Sequence, residues 1–175
     1  MKFGLTQPVY RSAVGLIVLD YRRDEFRTWK QIRGLGKDFQ VGIDGSSASI
    51  AMSRDLFPQA ALTPIVDMVA QESILDSGAQ NLDAIADMAE EGAAWTLLYP
   101  AFTLVVPQPT VFIPVAYAVA RENRELLRAV NAWLTAEQAR GTIDQLYDYW
   151  MLGGAVKVER PPRWSVVRNV LKLTD

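Results

Sequence analysis

Cysteine and histidine are both absent from this 175-residue chain. Without cysteine there is no disulfide, no thiolate nucleophile and no thiolate metal site. Without histidine the chain lacks the commonest general base near neutral pH and the commonest metal ligand. The two absences weigh against most hydrolase mechanisms and leave acid–base work to carboxylates alone. Neither a metal nor a cofactor is expected. Positive charge is not in excess either. Eighteen Lys and Arg face twenty Asp and Glu, a net charge of −2, which argues against nucleic acid as a partner. Long hydrophobic runs are also missing. The longest, residues 13–19 and 93–106, fall short of the roughly 18 apolar residues of a membrane span, and Pro100 breaks the second. Residues 1–4 lead into Thr6, Gln7 and Pro8 rather than into an apolar run with a small-residue cleavage site, so no signal peptide is expected here.

What remains is ordinary globular composition, 50% hydrophobic and 22% charged, at a length that allows one domain or two small lobes. Residues 14–19 (VGLIVL) form a continuous, β-branched apolar run and read as a buried strand. A charged link follows at residues 20–25, then a short helical turn at 28–33 with Trp29 and Ile32 facing inward. Residues 39–43 read as a second strand ending at Asp44, Gly45, Ser46 and Ser47. Residues 48–56 have helical composition and stop before Pro58. Residues 61–66 read as a strand that Pro64 confines to an edge or a strand end. A helix is expected over 69–75 with Gly78 as its stop, a short strand over 81–86, a helix over 88–95 and a strand over 102–106. Strands and helices alternating at this spacing predict an α/β sheet that is at least partly parallel. There is no internal repeat and no low-complexity segment.

The stretch from 115 to 153 carries the most information. A strand at 115–119 precedes a charged turn and an amphipathic helix, in which Leu126, Leu127, Val130 and Leu134 make an apolar stripe. Gly141 is a helix stop, and Thr142 with Gln145 has the spacing of a capping box for a second short helix. Tyr147, Tyr149 and Trp150 end that helix and read as core packing, with stacking on a ligand as the rarer use. Leu126, Asn131, Gly141, Thr142, Leu146 and Trp150 follow a strand in an order that resembles the C-terminal signature of family 3 extracellular solute-binding proteins. These have the type II periplasmic binding fold.

The resemblance extends over nearly the whole chain. Residues 5–13 (LTQPVYRSA, containing Tyr10) stand where the family has its first hinge motif. Trp29, Ile32, residues 41–43, Gly45 and Ser46 match the opening of the second lobe, and Asp83 with Ala84 matches a later "DA" pair. In amino-acid binders of the family an aspartate follows that pair by four residues and holds the ligand ammonium. Here Met88 stands at that place and Asp87 precedes it by one. Residues 90–100 and 162–171 further resemble binding domains attached to cation:dicarboxylate symporter-type transporters.

The resemblance implies an α/β protein of type II periplasmic-binding-protein architecture, with a complete lobe 2 and a partial lobe 1. Residues 1–24 and 107–155 would form partial lobe 1 with the hinge strands, 25–106 lobe 2, and 156–175 a C-terminal tail. Segments 20–27 and 105–110 would then run side by side as crossovers between lobes. The first half of lobe 1, with the arginine that grips the ligand carboxylate, would lie outside this chain.

The turn Asp44-Gly45-Ser46-Ser47 lies between a strand and a helix, where free backbone N–H groups and the helix dipole favour an anion. Gly45, Ser46 and Ser47 are therefore candidate ligand residues, and the same pattern also fits a plain N-cap. Tyr10, in the hinge motif, and Glu90, a carboxylate able to meet a ligand ammonium, complete the candidate set. Glu90 and Glu91 also fit a solvated helix face. Residues 161–171 start rigidly and continue with amphipathic spacing, suited to docking on the same domain or on a transporter.

The function expected is non-catalytic binding of a small anionic or zwitterionic solute, an amino acid or carboxylate, for transport or sensing in the periplasm or outside the cell. A membrane transporter and a homodimer through partial lobe 1 are the expected partners. The alternatives are an enzyme on the same fold, a dehydratase of cyclic carboxylic acids, or an interaction domain without a ligand.

Overall fold

The computed structural model describes residues 3–79 and 81–151. The chain divides into two compact units at Leu134 and Thr135. The first unit is built on a six-stranded mixed sheet. Its strands are β2 (Tyr10–Leu19), β3 (Gln40–Asp44), β4 (Ala61–Ile65), β5 (Ala84–Met88), β6 (Phe102–Val105) and β7 (Phe112–Val115). The order is β4-β3-β5-β2-β6, with β7 pairing with the start of β2. Strands β3, β4 and β5 are mutually parallel, and β2 runs antiparallel to β5, β6 and β7. Strand β1 (Phe3–Leu5) pairs with β8 (Ala118–Ala120) in a separate two-stranded ribbon.

The sheet is covered on both faces, and this explains the unbroken apolar run in β2. Val14, Leu16 and Val18 point into one core with Val41, Ile43, Phe26, Trp29, Phe39 and Phe57. Ile17 points the other way, into a second core with Ile65, Leu75, Ile85 and Phe102. Alternation along one strand thus feeds two cores, as the pleat requires. In the first core the rings of Phe26 and Phe39, Trp29 and Phe57, and Phe39 and Phe57 pack tilted at 5.8–5.9 Å. The helices over these faces are α1 (Trp29–Gly34), α2 (Ser47–Leu56), α3 (Met68–Asp76) and α4 (Ala89–Leu98). Helix α4 lies close on β2 because both contribute a glycine. A Cβ on Gly15 would stand 2.6 Å from Leu104 Cδ1 and 3.4 Å from Ala89 Cα, and one on Gly92 would stand 2.6 Å from the same Leu104 atom.

Most expected elements are present. Strand β4 is the sheet edge that Pro64 demands. The charged link is a 3-10 segment, Asp20–Phe26, laced by i,i+3 ion pairs from Arg22 to Glu25, 2.8 Å, and from Arg23 to Asp20, 3.3 Å. Segments 20–27 and 105–110 do run side by side. The Gln108 N–H donates to the Arg27 carbonyl at 2.9 Å, the Trp29 N–H to the Gln108 carbonyl at 3.2 Å, and the Trp29 indole to the Pro109 carbonyl at 2.9 Å.

Three expectations need correction. The strand expected over 81–86 runs instead over Ala84–Met88. Asp83 pins its start, donating its N–H to the Gln40 carbonyl and accepting the Gln40 N–H on its carboxylate, both at 2.8 Å. The strand expected over 115–119 is two strands, β7 and β8. Within β7, Pro114 is tolerated because, among the described residues, β7 pairs with β2 alone. The third correction is the capping box. Gly141, at φ 72°, is itself the N-cap of α6 (Thr142–Trp150), and no side chain caps that helix. The same left-handed glycine ends α5 (Arg124–Ala139), as expected of a C′ position.

Helix α5 begins in the first unit. There the Asn131 side chain accepts the Gln7 N–H at 2.8 Å and its carbonyl accepts from Gln7 Nε2 at 3.2 Å, tying two of the resemblance motifs together. Leu134 is fully buried, whereas Leu126 is 48% exposed and stands outside the apolar stripe. In the second unit Tyr149 and Trp150 pack edge to face at 4.9 Å and remain largely exposed, so core packing does not describe them. The tail reading at 161–171 lies outside the described residues.

Candidate functional site

The parallel strands β3 and β5 end side by side, and their last residues are acidic or lie next to an acid. Asp44 closes β3, and Asp87 precedes Met88 at the end of β5. Ligands of open α/β sheets lie outside the carboxyl ends of the strands. A cavity of about 450 Å³ opens at this point in the first unit, within the range of small-molecule sites. Its apolar wall includes Val14, Met52, Leu56, Phe57 and Ile113, from β2, α2, β7 and the loop after α2. Its polar wall is Asp44, Asp87, Glu91, Ser49 and Ser53, and among the described residues no lysine or arginine lines it.

The three carboxylates feel one another. Burial is the main cause that raises Asp87 above its ordinary value of 3.8, and the charge of Asp44 adds to it. Bonds from Gln71 Nε2 at 3.0 Å and from the Met88 N–H at 2.8 Å oppose the rise. Glu91 is also raised, first by burial and then by the charge of Asp87. Glu91 is exposed as a residue, yet its carboxyl turns toward the cavity and bonds to Asp87. That contact raises Glu91 and lowers Asp87. Among the described residues no group of three His, Cys, Asp or Glu is arranged to hold a metal ion.

Tyr10 and Glu90 come close to each other, and neither is in the cavity lining. Glu90 sits in the first turn of α4, where the helix dipole favours a carboxylate. It accepts a bond from the fully buried Ser12 hydroxyl of β2. The phenol of Tyr10, two residues before Ser12, is raised by burial and then by the charges of Glu90 and Glu91.

Gly45, Ser46 and Ser47 are exposed and stand outside the cavity lining, which takes in the flanking Asp44 and Ala48 instead. Donors in this turn are engaged within the chain. The Gly45 N–H bonds to the Ile65 carbonyl at 2.9 Å, and the Ser46 N–H to Asp44 Oδ1 at 3.0 Å. The Ser46 hydroxyl accepts the Ser49 N–H at 3.2 Å as the N-cap of α2. Asp44 thus places the chain's own anion at this helix start.

Asp44, Asp87 and Glu91 were noted in the sequence, as the start of the turn, the acid one place short of the ammonium position and part of a solvated helix face, but were not among the candidate ligand residues. The usable signal was the strand-end rule. Once β5 is carried through to Met88, Asp87 falls beside Asp44 at the strand ends.

No family model matches this chain, and no curated protein matches it. Solved structures do match. An ancestral amino acid-binding protein, AncCDT-1, a precursor of cyclohexadienyl dehydratase, is 21% identical with a TM-score of 0.66, covering 86% of this chain and 62% of its own. The amino acid ABC transporter substrate-binding protein AbpA of Streptococcus pneumoniae, bound to L-arginine, is 18% identical with a TM-score of 0.69, covering 89% and 63%. The GluR0 ligand-binding core complexed with L-glutamate is 15% identical with a TM-score of 0.70, covering 85% and 64%. This chain has the α/β fold of type II periplasmic binding proteins and spans less than two thirds of the length of these structures.

Proposed function

We propose that this chain binds a small solute of the amino-acid class, reversibly and without turnover, for transport or sensing outside the cytoplasm. The observation that carries the reading is the cavity at the carboxyl ends of β3 and β5, with its apolar wall and acidic corner. The structures that share the fold include proteins bound to L-arginine and L-glutamate, which supports the solute class. An ammonium of the solute is assigned to Asp87 with Asp44, and Tyr10 and Glu90 to the rim. Gly45, Ser46 and Ser47 hold the rim in shape by capping α2. Among the described residues no cation lines the cavity, so a carboxylate of the solute is assigned to the side away from the acidic corner.

In this reading residues 25–106 act as the second lobe, and 1–24 with 107–155 contribute to the first. A membrane transporter receives the solute. Self-association uses the β1–β8 ribbon, where Phe3 and Leu5 are 57% and 67% exposed. An enzymatic reading draws on one observation only, the raised Asp87–Glu91 pair, which could supply a general acid.

Thermal-shift screening against amino acids, dicarboxylates and keto acids, followed by calorimetry of each hit, tests the proposal. Saturable binding with the solute recovered unchanged is the expected result. Conversion of a bound acid, followed by NMR, puts the enzyme first. Absence of any binding leaves the interaction-domain reading.

A further inference from the structure

We propose that Ser53 sets the specificity of the cavity. Its hydroxyl holds a neutral hydrogen-bonding group, a hydroxyl or a carboxamide, at the far end of the solute's side chain. The inference rests on the solute-binding reading above and adds the chemistry of that distal group.

Among the described residues three polar ones are buried, Thr6, Ser12 and Ser53. The Thr6 hydroxyl donates to the Gln7 carbonyl at 2.8 Å and accepts the Tyr117 N–H at 3.0 Å. The Ser12 hydroxyl donates to Glu90. Ser53 differs from both. It is 2% exposed, and no described residue bonds to its hydroxyl. A serine inside a helix ordinarily turns its hydroxyl to solvent or back onto its own helix. Thr96 in α4 takes the second course, donating to the Ala93 carbonyl at 2.9 Å. Ser53, in the interior of α2, takes neither. Yet no buried polar side-chain atom among the described residues is sealed off unbonded. A hydroxyl that is neither bonded nor sealed opens onto the space its residue lines, and for Ser53 that space is the cavity. Buried polar groups in native proteins are bonded, and an unmet one is costly. A solute group that bonds to Ser53 removes that cost.

The place of Ser53 along α2 sets the rest. Ser49, Met52, Ser53 and Leu56 line the cavity at the spacing of one helix face. Ser49 lies in the first turn, near Asp44, and Ser53 stands one turn farther on, about 6 Å along the axis. That reach suits a side chain of middle length, such as that of glutamine. Around Ser53 in the sequence the lining is apolar, with Met52, Leu56 and Phe57. A charged end group would lose its hydration against them without a counter-charge. A neutral group needs only the one hydroxyl, and a few placed polar groups in an apolar wall are what fix a ligand's identity.

Calorimetry on the whole chain near pH 7 tests this with L-amino acids. Glutamine and 5-hydroxynorvaline carry the distal group, methionine and norleucine have similar length without it, and arginine and glutamate carry a charge instead. Glutamine or 5-hydroxynorvaline should bind about tenfold more tightly than methionine and norleucine, and more tightly than arginine and glutamate. Ser53→Ala should weaken that probe about tenfold and leave norleucine within about twofold, with an unchanged circular dichroism spectrum. In the free chain Ser53→Ala should not lower the melting temperature, because no bond within the protein is lost. A fall of several degrees reveals an internal partner and overturns the proposal. Methionine or norleucine binding as tightly as the polar probes, or a preference that survives in Ser53→Ala, overturns it and leaves solute binding standing. Tightest binding of arginine or glutamate does the same. Binding of no probe overturns both readings.

Discussion

Replacing Asp83 should destabilise the protein through two separable losses. One carboxylate oxygen lies 2.6 Å from Arg22 Nη1, and the other accepts the Gln40 N–H at 2.8 Å. Asp83 thereby clamps the 3-10 segment and the start of β3 onto the start of β5. Alanine removes both contacts and leaves a half-buried N–H without its acceptor. A charge-assisted bond contributes about 1.5–3 kcal/mol and an orphaned buried donor costs about 1–3 kcal/mol. The Arg22 and Asp83 side chains keep 24% and 26% of their exposure, so solvent screens part of this. Arg22 also retains Glu25 at 2.8 Å, so no cation is left alone. The net expectation for Asp83→Ala is about 2–3 kcal/mol. At roughly 2–4 °C per kcal/mol for a chain of this size, the melting temperature should fall by about 5–10 °C. Asp83→Asn keeps one acceptor and should cost about 1 kcal/mol. Urea titration followed by tryptophan fluorescence and circular dichroism measures both variants. A loss below about 0.5 kcal/mol in Asp83→Ala, within the range of ordinary surface changes, refutes the clamp. Equal losses in the two variants would show that the charge alone matters and the Gln40 bond does not.

Two further outcomes follow from the site and the ribbon. Asp87 is raised above its ordinary value, so between that value and the raised one the folded state holds a proton that the unfolded state has released. Stability contributed by this group is present at low pH and is lost as pH rises through that window. Asp87→Asn should therefore raise the melting temperature at pH 7 more than at pH 4 while weakening solute binding, and equal shifts at the two pH values would contradict the assignment. Leu5→Lys, on the exposed face of β1, should shift the chain toward monomer in light scattering at tens of micromolar, whereas a wild-type monomer at that concentration removes the ribbon as an interface.

The fold was legible where local chemistry and pairing agree. The β-branched run of β2, the edge position forced by Pro64 in β4, and the Gly141 stop each have a cause within a few residues. Strand β1 has three residues, and β7 carries a proline. Both exist because of distant partners, β8 at Ala118–Ala120 and the first half of β2. Asp83 shows the same limit. Its spacing from Ala84 looks like a strand interior, but its bonds to Gln40 and Arg22 make it the post at which β5 begins.

The site was less legible, and the reason lies in how it is assembled. Gly45, Ser46 and Ser47 advertise an anion site because a glycine turn before a helix frees backbone donors. The chain itself takes those donors, the Gly45 N–H by the Ile65 carbonyl and the Ser46 N–H by Asp44, and neither bond can be read from spacing. Tyr10 and Glu90 are distant in sequence and meet because Gly15 and Gly92 let α4 close on β2. Asp44 and Asp87 are 43 positions apart in the chain and become neighbours because β3 and β5 are parallel partners, so that both strand ends point the same way. A parallel sheet gathers its carboxyl-terminal residues at one edge whatever their separation in sequence. Burial of the acids gathered there, with a smaller part from their mutual charge, raises Asp87 and Glu91 above their ordinary values. The cost of ionising a buried Asp87 at this edge is the stability that Asp87→Asn should regain at pH 7.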